Sequence, residues 1–395
     1  MPKYARYFLL SGLFSIFILM ISGIWITTQR GGQDFNVFYH AWKLVLSGQA
    51  SEIYNNSPDR FLYSPSFAYL LSPLAWMPFH ISFLFWNTLK IISLVLLFFI
   101  LKPYAKNDSS LYLPLYLWSL IFISRPLLID LQYGQINIFL LVFSLWALCS
   151  QTPLSWFFLG VVAVMKPLIL PLLLIPWFEK RKTTCISSLA GSLLSIFFPM
   201  ELGFQNFQTL LSQWYNAIAS KGFPLESHNQ SVLALLYRLF SGKPIHIISY
   251  GPEPVQFGFN LFSEKALFLL CIVWIIAVLV FFIKILITQK QSLQKYALLV
   301  GIILLPLHLV WKPYFVFSFP LAFLILSDLL FLQGRKIYKL LLIALAFTFM
   351  NLTGLDYIGI SLSGKFEALS TMMLAHLILI FYACAAANHS STLEH

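Results

Sequence analysis

Acidic side chains are scarce in this chain: 14 Asp and Glu stand among 395 residues, against 25 Lys and Arg, and charged residues together make up 10%. A soluble domain carries about 25%. With 59% of the chain hydrophobic, there is too little polar surface to cover the two or three soluble domains this length would otherwise suggest. Soluble enzymes, nucleic-acid binders and disordered tails are excluded together. Cysteine is scarce as well. Cys149, Cys185, Cys271 and Cys384 lie in or beside apolar runs with neither disulfide nor metal-ligand spacing, so they read as small packing residues. No Walker or dinucleotide fingerprint occurs, which argues against a soluble nucleotide donor or cofactor. No metal site is expected either, because the histidines show no ligand spacing and Asp34 has no second carboxylate beside it.

What the chain has in abundance is apolar runs of about 20 residues, the length that crosses a bilayer. The first, 8–27, has no small-residue cleavage motif and exceeds the roughly 7 to 15 apolar residues of a signal peptide, so it reads as a retained span. Similar runs cover 81–101, 110–127, 135–150, 183–199, 264–284, 294–310, 314–332, 337–353 and 368–386. Taken as one span, 153–178 would put Lys180, Arg181 and Lys182 on the opposite side from the other basic clusters. A turn at Lys166-Pro167, where proline disfavours helix at the preceding residue, gives two short legs that enter and leave on the same side. The expectation is an all-α polytopic membrane protein. It is a single integral domain over 1–395 with about twelve membrane segments, two of them short and re-entrant-like, and both termini cytoplasmic. This topology places thirteen basic residues in short cytoplasmic loops and ten acids outside. The formal charge of +11 is then the positive-inside rule and implies no nucleic-acid partner.

Two long outer loops, 28–80 and 200–263, hold most of the polar residues, and loops of that length inside a compact protein are usually functional. Each contains an amphipathic helical pattern. Phe35, Phe38, Tyr39, Trp42, Val45 and Leu46 share one face behind Asp34 as N-cap, and Phe207, Leu210, Leu211, Trp214, Tyr215 and Ile218 share another. Both are expected to lie in the membrane interface with their aromatics among the headgroups. The proline-interrupted stretch 64–79 reads as an interfacial or partly re-entrant helix, which implies a cavity facing the outer leaflet. No internal repeat relates the two halves, which weakens a transporter reading.

An ionisable residue near lipid is costly unless it has a task or a partner. Asp34, seven residues after the first span, is either a plain N-cap or a carboxylate able to take a proton from a hydroxyl. The basic candidates on the outer side are Arg30, Arg60, Arg125, Lys166, Lys221, Arg238, Lys243, Lys312 and Lys365; of these Lys166 and Lys312 either snorkel to headgroups or supply a cation to a phosphate. His308 is either a packing histidine or a further ligand. Gln135 and Asn137, at the outer start of a span, either cap that helix or bind a sugar hydroxyl.

Asp34-Phe35 with Tyr39, Ala41, Gly48 and Ile53-Tyr54, then the run FLYSP at 61–65, Pro73 and Trp86, resemble the first outer loop of one family. It comprises the polyprenyl-phosphate-mannose-dependent mannosyltransferases of glycosyltransferase family 87, membrane enzymes of the GT-C class. Gly134-Gln135-Ile136-Asn137, Ala163 to Pro167, Asn229-Gln230-Ser231 and Trp311 continue the resemblance in order. It implies inverting transfer of a sugar, mannose foremost, from a polyprenyl-phosphate donor to a lipid or glycan acceptor, with no cofactor. The reaction would take place at the outer, periplasmic face of a bacterial cytoplasmic membrane. It also implies that Asp34 is the general base and that Lys166 binds the donor phosphate, with Asn229 among the substrate-binding residues. Where family members often carry a histidine after the tryptophan, this chain has Lys312-Pro313, so either Lys312 or His308 serves there. A lipid-linked sugar flippase, or a ligase or polymerase of lipid-linked glycans, would share the topology. The flippase would not need Asp34 as a base, and the ligase or polymerase would place its main outer loop later in the chain.

Overall fold

The computed structural model describes residues 6–7, 9–18, 21, 31–55, 61–104, 109–202, 204–220, 222–331 and 337–391. Much of the expected first span lies outside the described residues, as do Arg30, Arg60 and Lys221. The described chain is overwhelmingly helical, and its one sheet pairs Pro244–Ile245 with Val255–Gln256 antiparallel.

Among the described residues four helices are long and apolar enough to cross a membrane: Phe79–Tyr104, Lys182–Met200, Glu264–Thr288 and Lys312–Leu329. Two bent pairs, Leu111–Phe122 with Ser124–Tyr133 (68°) and Ile337–Leu352 with Leu355–Ala368 (97°), raise that to at most six. Six further apolar helices have 10–17 residues, including Pro153–Met165 and Pro167–Phe178, the two short legs expected around Lys166. The chain is an all-α polytopic membrane protein, and twelve segments is a finer count than length and composition give. Glu264–Thr288 shows why lipid is the solvent. Leu267, Cys271, Val278, Phe282 and Ile285 are buried along one stripe, while Leu269, Val273, Val280 and Ile287 are more than half exposed. Such an apolar surface is stable against hydrocarbon and not against water.

Helix breaks follow local chemistry. Pro153–Met165 stops where Lys166 is extended (φ −139°, ψ 106°) ahead of Pro167. At the 68° bend, the Asn351 side chain accepts from the Arg125 amide (3.0 Å) and the Ser124 hydroxyl (2.9 Å) and donates to the Phe122 carbonyl (2.8 Å). One amide thus satisfies backbone groups on both sides of the break, which a bend at membrane depth requires. The run expected at 294–310 is helical only over Leu293–Ile302, with turns leading into Pro306. The run at 337–353 relaxes into a π turn, Thr348–Leu352, and a further helix not expected from hydropathy, Leu355–Ala368, follows it.

The chain forms two compact units, each assembled from separated stretches. One comprises Met1–Ile21, Tyr104–Ile129 and Phe223–His395, and the other Ser22–Pro103 and Asp130–Gly222. In the second unit the helix Gln33–Leu46 is the organising element. Phe35, Phe38, Tyr39 and Trp42 are buried at 7% exposure or less. Phe35 lies 5.0 to 5.5 Å, ring to ring, from Phe83, Trp42 and Phe79, and Phe38 meets Tyr63 and Phe67 at 4.7 and 4.9 Å. The face expected among lipid headgroups is therefore packed inside protein, because 61–86 supplies an aromatic lining for it. The later amphipathic helix, Phe204–Ala219, buries Phe207 and Leu210 and leaves Tyr215 72% exposed.

Candidate active site

Asp34 does not cap its helix. Gly32 takes that position with a left-handed backbone (φ 88°), which glycine adopts without strain, and its N–H donates to the Gln132 carbonyl (2.8 Å). Asp34 falls in the first turn, where the helix dipole favours a carboxylate, and its Oδ2 accepts from the Gln135 amide. Gln135 is brought there by a second tight turn. Gly134 (φ 74°) packs so closely on Phe35 that a Cβ would lie 2.5 Å from it, and its carbonyl accepts from Trp86 Nε1 (2.8 Å).

From Gln135 a polar network runs inward. Its Oε1 accepts from the Tyr63 hydroxyl (2.7 Å) and from Lys166 Nζ (3.4 Å). Lys166 also reaches Asn137 Oδ1 (2.8 Å) and the Tyr63 hydroxyl (3.3 Å). Asn137 Nδ2 donates to Asp130 Oδ2 (2.9 Å), and Lys90 Nζ binds Asp130 at Oδ1 (3.0 Å) and at its carbonyl (2.8 Å). Lys90 and Asp130 are fully buried, Lys166 nearly so, and Asp34 partly exposed. Asp34, Gln135, Asn137 and Lys166, all candidates from sequence, thus belong to one network.

The first unit holds a second cluster. Glu367 Oε1 accepts from Arg125 Nη2 (3.5 Å) and from Lys312 Nζ, and His228 Nε2 lies 3.5 Å from Glu367 Oε2. Arg125 also donates to the Thr353 hydroxyl (2.9 Å). Burial and the neighbouring Lys312 ammonium hold the His228 imidazole down, to about 4, against the pull of Glu367. The histidine is therefore neutral at physiological pH, and its contact with Glu367 is dipolar, not an ion pair. Two cations thus bear directly on one carboxylate, and Asp356 adds a second negative charge acting on Arg125.

Two expected ligands are placed otherwise. Asn229 is fully buried, with its amide donating to the Pro224 and His308 carbonyls (both 2.9 Å) and its oxygen accepting from the Ser231 and Val310 amides (both 3.1 Å). Its side-chain hydrogen bonds go to backbone, and so it shapes the loop. His308 has an exposed side chain and contributes its carbonyl to Asn229 and Ser231. His228, not His308, is the histidine in the Lys312 cluster. Glu367 is held there by Gln230, whose amide donates to its carbonyl (2.9 Å), while buried Arg238 ties Ala368 and Ser370 to the carbonyls of Glu226 and Asn229. Among the described residues no three of His, Cys, Asp and Glu gather as metal ligands.

The sequence profile of glycosyltransferase family 87 matches residues 61–313, more than half of the chain. The chain belongs to glycosyltransferase family 87. It is accordingly a transferase of sugars, and the family match spans both units. Gln135, Asn137, Lys166 and their anchors Lys90 and Asp130 fall inside the matched residues, as do Arg125, His228 and Lys312, whereas Asp34 and Glu367 fall outside them. No curated protein and no solved structure matches the chain.

Proposed function

We propose that this family 87 glycosyltransferase moves a sugar, mannose foremost, from a polyprenyl-phosphate donor to a hydroxyl of a lipid or glycan acceptor at the outer face of the cytoplasmic membrane. The configuration at the anomeric carbon is inverted. The observation that carries this reading is Asp34. It is a partly exposed carboxylate in the first turn of a helix, with one oxygen held by Gln135 and a lysine one amide away. In the reaction the Asp34 carboxylate takes the proton of the acceptor hydroxyl as its oxygen bonds to the anomeric carbon. The bond from that carbon to the phosphate oxygen breaks with its electron pair passing to the phosphate, and Asp34 then returns its proton to solvent. A polyprenyl phosphate is a competent leaving group once its charge is matched, so orientation, proton removal and phosphate stabilisation suffice.

Cations for the phosphate are available as Lys166 and as the Arg125–Lys312 pair. The three donors of Lys166 face three neutral acceptors, so a phosphate there would displace one of them. Arg125 and Lys312 share the Glu367 carboxylate directly, so a phosphate there would compete with one acid for two cations. Asp34→Asn should lower turnover by about 10²- to 10⁴-fold, the range of a general base, with expression and folding intact. Turnover of a polyprenyl-phosphate sugar by the purified variant at the parental rate would sink the proposal.

A further inference from the structure

Two side-chain amides flank Lys166, and both are turned the same way. Asn137 accepts from the ammonium and donates to Asp130, while Gln135 accepts from the ammonium and donates to Asp34. The reverse orientation would set an NH₂ against an ammonium and a carbonyl against a carboxylate, so each amide has one acceptable pose. Neither pose is fixed locally. Lys90 clamps Asp130 through both its carboxylate and its carbonyl, and Asp130 orients Asn137. Asn137 and Tyr63 then place Lys166, which with Tyr63 orients Gln135. The chain of contacts begins at a pair with no exposed surface and ends at the partly exposed Asp34.

We propose that Gln135 and Asn137 are positioning residues that transmit the fixed geometry of the buried Lys90–Asp130 pair through Lys166 to Asp34, presenting its carboxylate to the acceptor hydroxyl in one orientation. The proposal rests on Asp34 being the base. An amide suits the task because it donates to one carboxylate oxygen without adding a charge. A cation in the same place would form a charge-assisted bond and draw down the basicity a proton acceptor needs. Lys166 still acts on Asp34 through the polarised amide, and the cations coupled to Asp34 come from other elements: Lys166 at the break after Met165, and Lys90 in Phe79–Leu101. Asp130 opposes them, and Tyr63 is the neighbouring phenol.

The test is an infrared titration of the full-length protein in lipid nanodiscs, without substrate, following the protonated-carboxyl band that Asp34→Asn removes. Gln135→Glu sets a second carboxyl against Asp34. The two then share a proton, and the midpoint should rise by about one pH unit or more, a tenfold gain in proton affinity. Gln135→Leu, which removes the donor, and Lys166→Met, which removes the cation, should raise it by less. These two variants decide the matter if Gln135→Glu does not fold. Unmoved midpoints in both overturn the proposal even if turnover falls, because loss of activity without change at Asp34 is what a merely structural role produces. Retained turnover by Asp34→Asn would remove the base instead, and would leave the titration result standing.

Discussion

The two polar clusters contain the same ingredients and connect them differently. In the Ser22–Pro103 and Asp130–Gly222 unit, Lys90 meets Asp130 one to one in full burial, and Lys166 is linked to Asp130 and Asp34 through amides. In the other unit, Arg125 and Lys312 bear directly on the single carboxylate of Glu367. One arrangement balances charge and fixes geometry. The other sets two cations on one acid beside the partly exposed His228, with Asp356 as a further negative charge on Arg125. The first suits a group that must be aimed, the second a group that must attract an anion.

The largest expected contrast is in stability. Lys90→Met strands the Asp130 carboxylate in full burial and should destabilise the protein by about 3–5 kcal/mol, and Lys90→Met with Asp130→Leu should recover most of that. Lys312→Met leaves Glu367 still paired with Arg125, so it should cost clearly less than Lys90→Met. Chemical unfolding in detergent measures both. Equal losses from Lys90→Met and Lys312→Met would erase the distinction between a one-to-one pair and an acid shared by two cations.

Next in size is a binding effect confined to the Arg125–Lys312–Glu367 cluster. Glu367→Gln removes the carboxylate that offsets the two cations, so farnesyl phosphate, used as a probe, should bind about five- to tenfold more tightly, near 1.4 kcal/mol at the upper end. A phosphomonoester carries more charge than the phosphodiester of a sugar donor, so the gain should be greater for the product-like probe than for a dialkyl phosphate. Calorimetry on the purified variant reads both constants. Weaker binding of either probe would show that Glu367 is needed to hold Arg125 and Lys312 in place for the anion.

Much of this was readable along the chain, and what was not has a common cause. The break at Lys166 follows from Pro167, a local steric effect, and Asp34 stood out because charge is rare near lipid. The carboxylate is the residue type that signals a helix start, whereas Gly32, two residues earlier, caps through a left-handed conformation that leaves no side-chain signature. Lys90 lies inside an apolar helix of 23 residues, where hydropathy averages its charge away. A charge in the middle of such a run is itself the signal that could have exposed it. Its partner lies 40 positions away, and Glu367 meets Arg125 across 242. Hydropathy and periodicity describe neighbours along one element, and neither encodes pairings at such separations.

The smallest effect expected is a pH dependence that separates the clusters again. His228 is held near 4 by burial and by Lys312, whereas an unfolded histidine titrates near 6.5. Between those values the unfolded chain binds the extra proton, so stability is at its full value above about pH 6.5 and declines as the pH falls toward 4. His228 is 31% exposed, so solvent screening keeps the contribution on the order of 1 kcal/mol. The difference in unfolding free energy between the parent and His228→Gln, followed across this window, isolates it from the carboxylates that titrate nearby. Farnesyl phosphate seated on Arg125 and Lys312 would bring negative charge beside the imidazole and raise its proton affinity. The pH-dependent difference should therefore shrink when the probe is present. A difference unaffected by saturating probe would mean that the anion sits away from His228, and that the paired cations of this cluster serve some end other than phosphate.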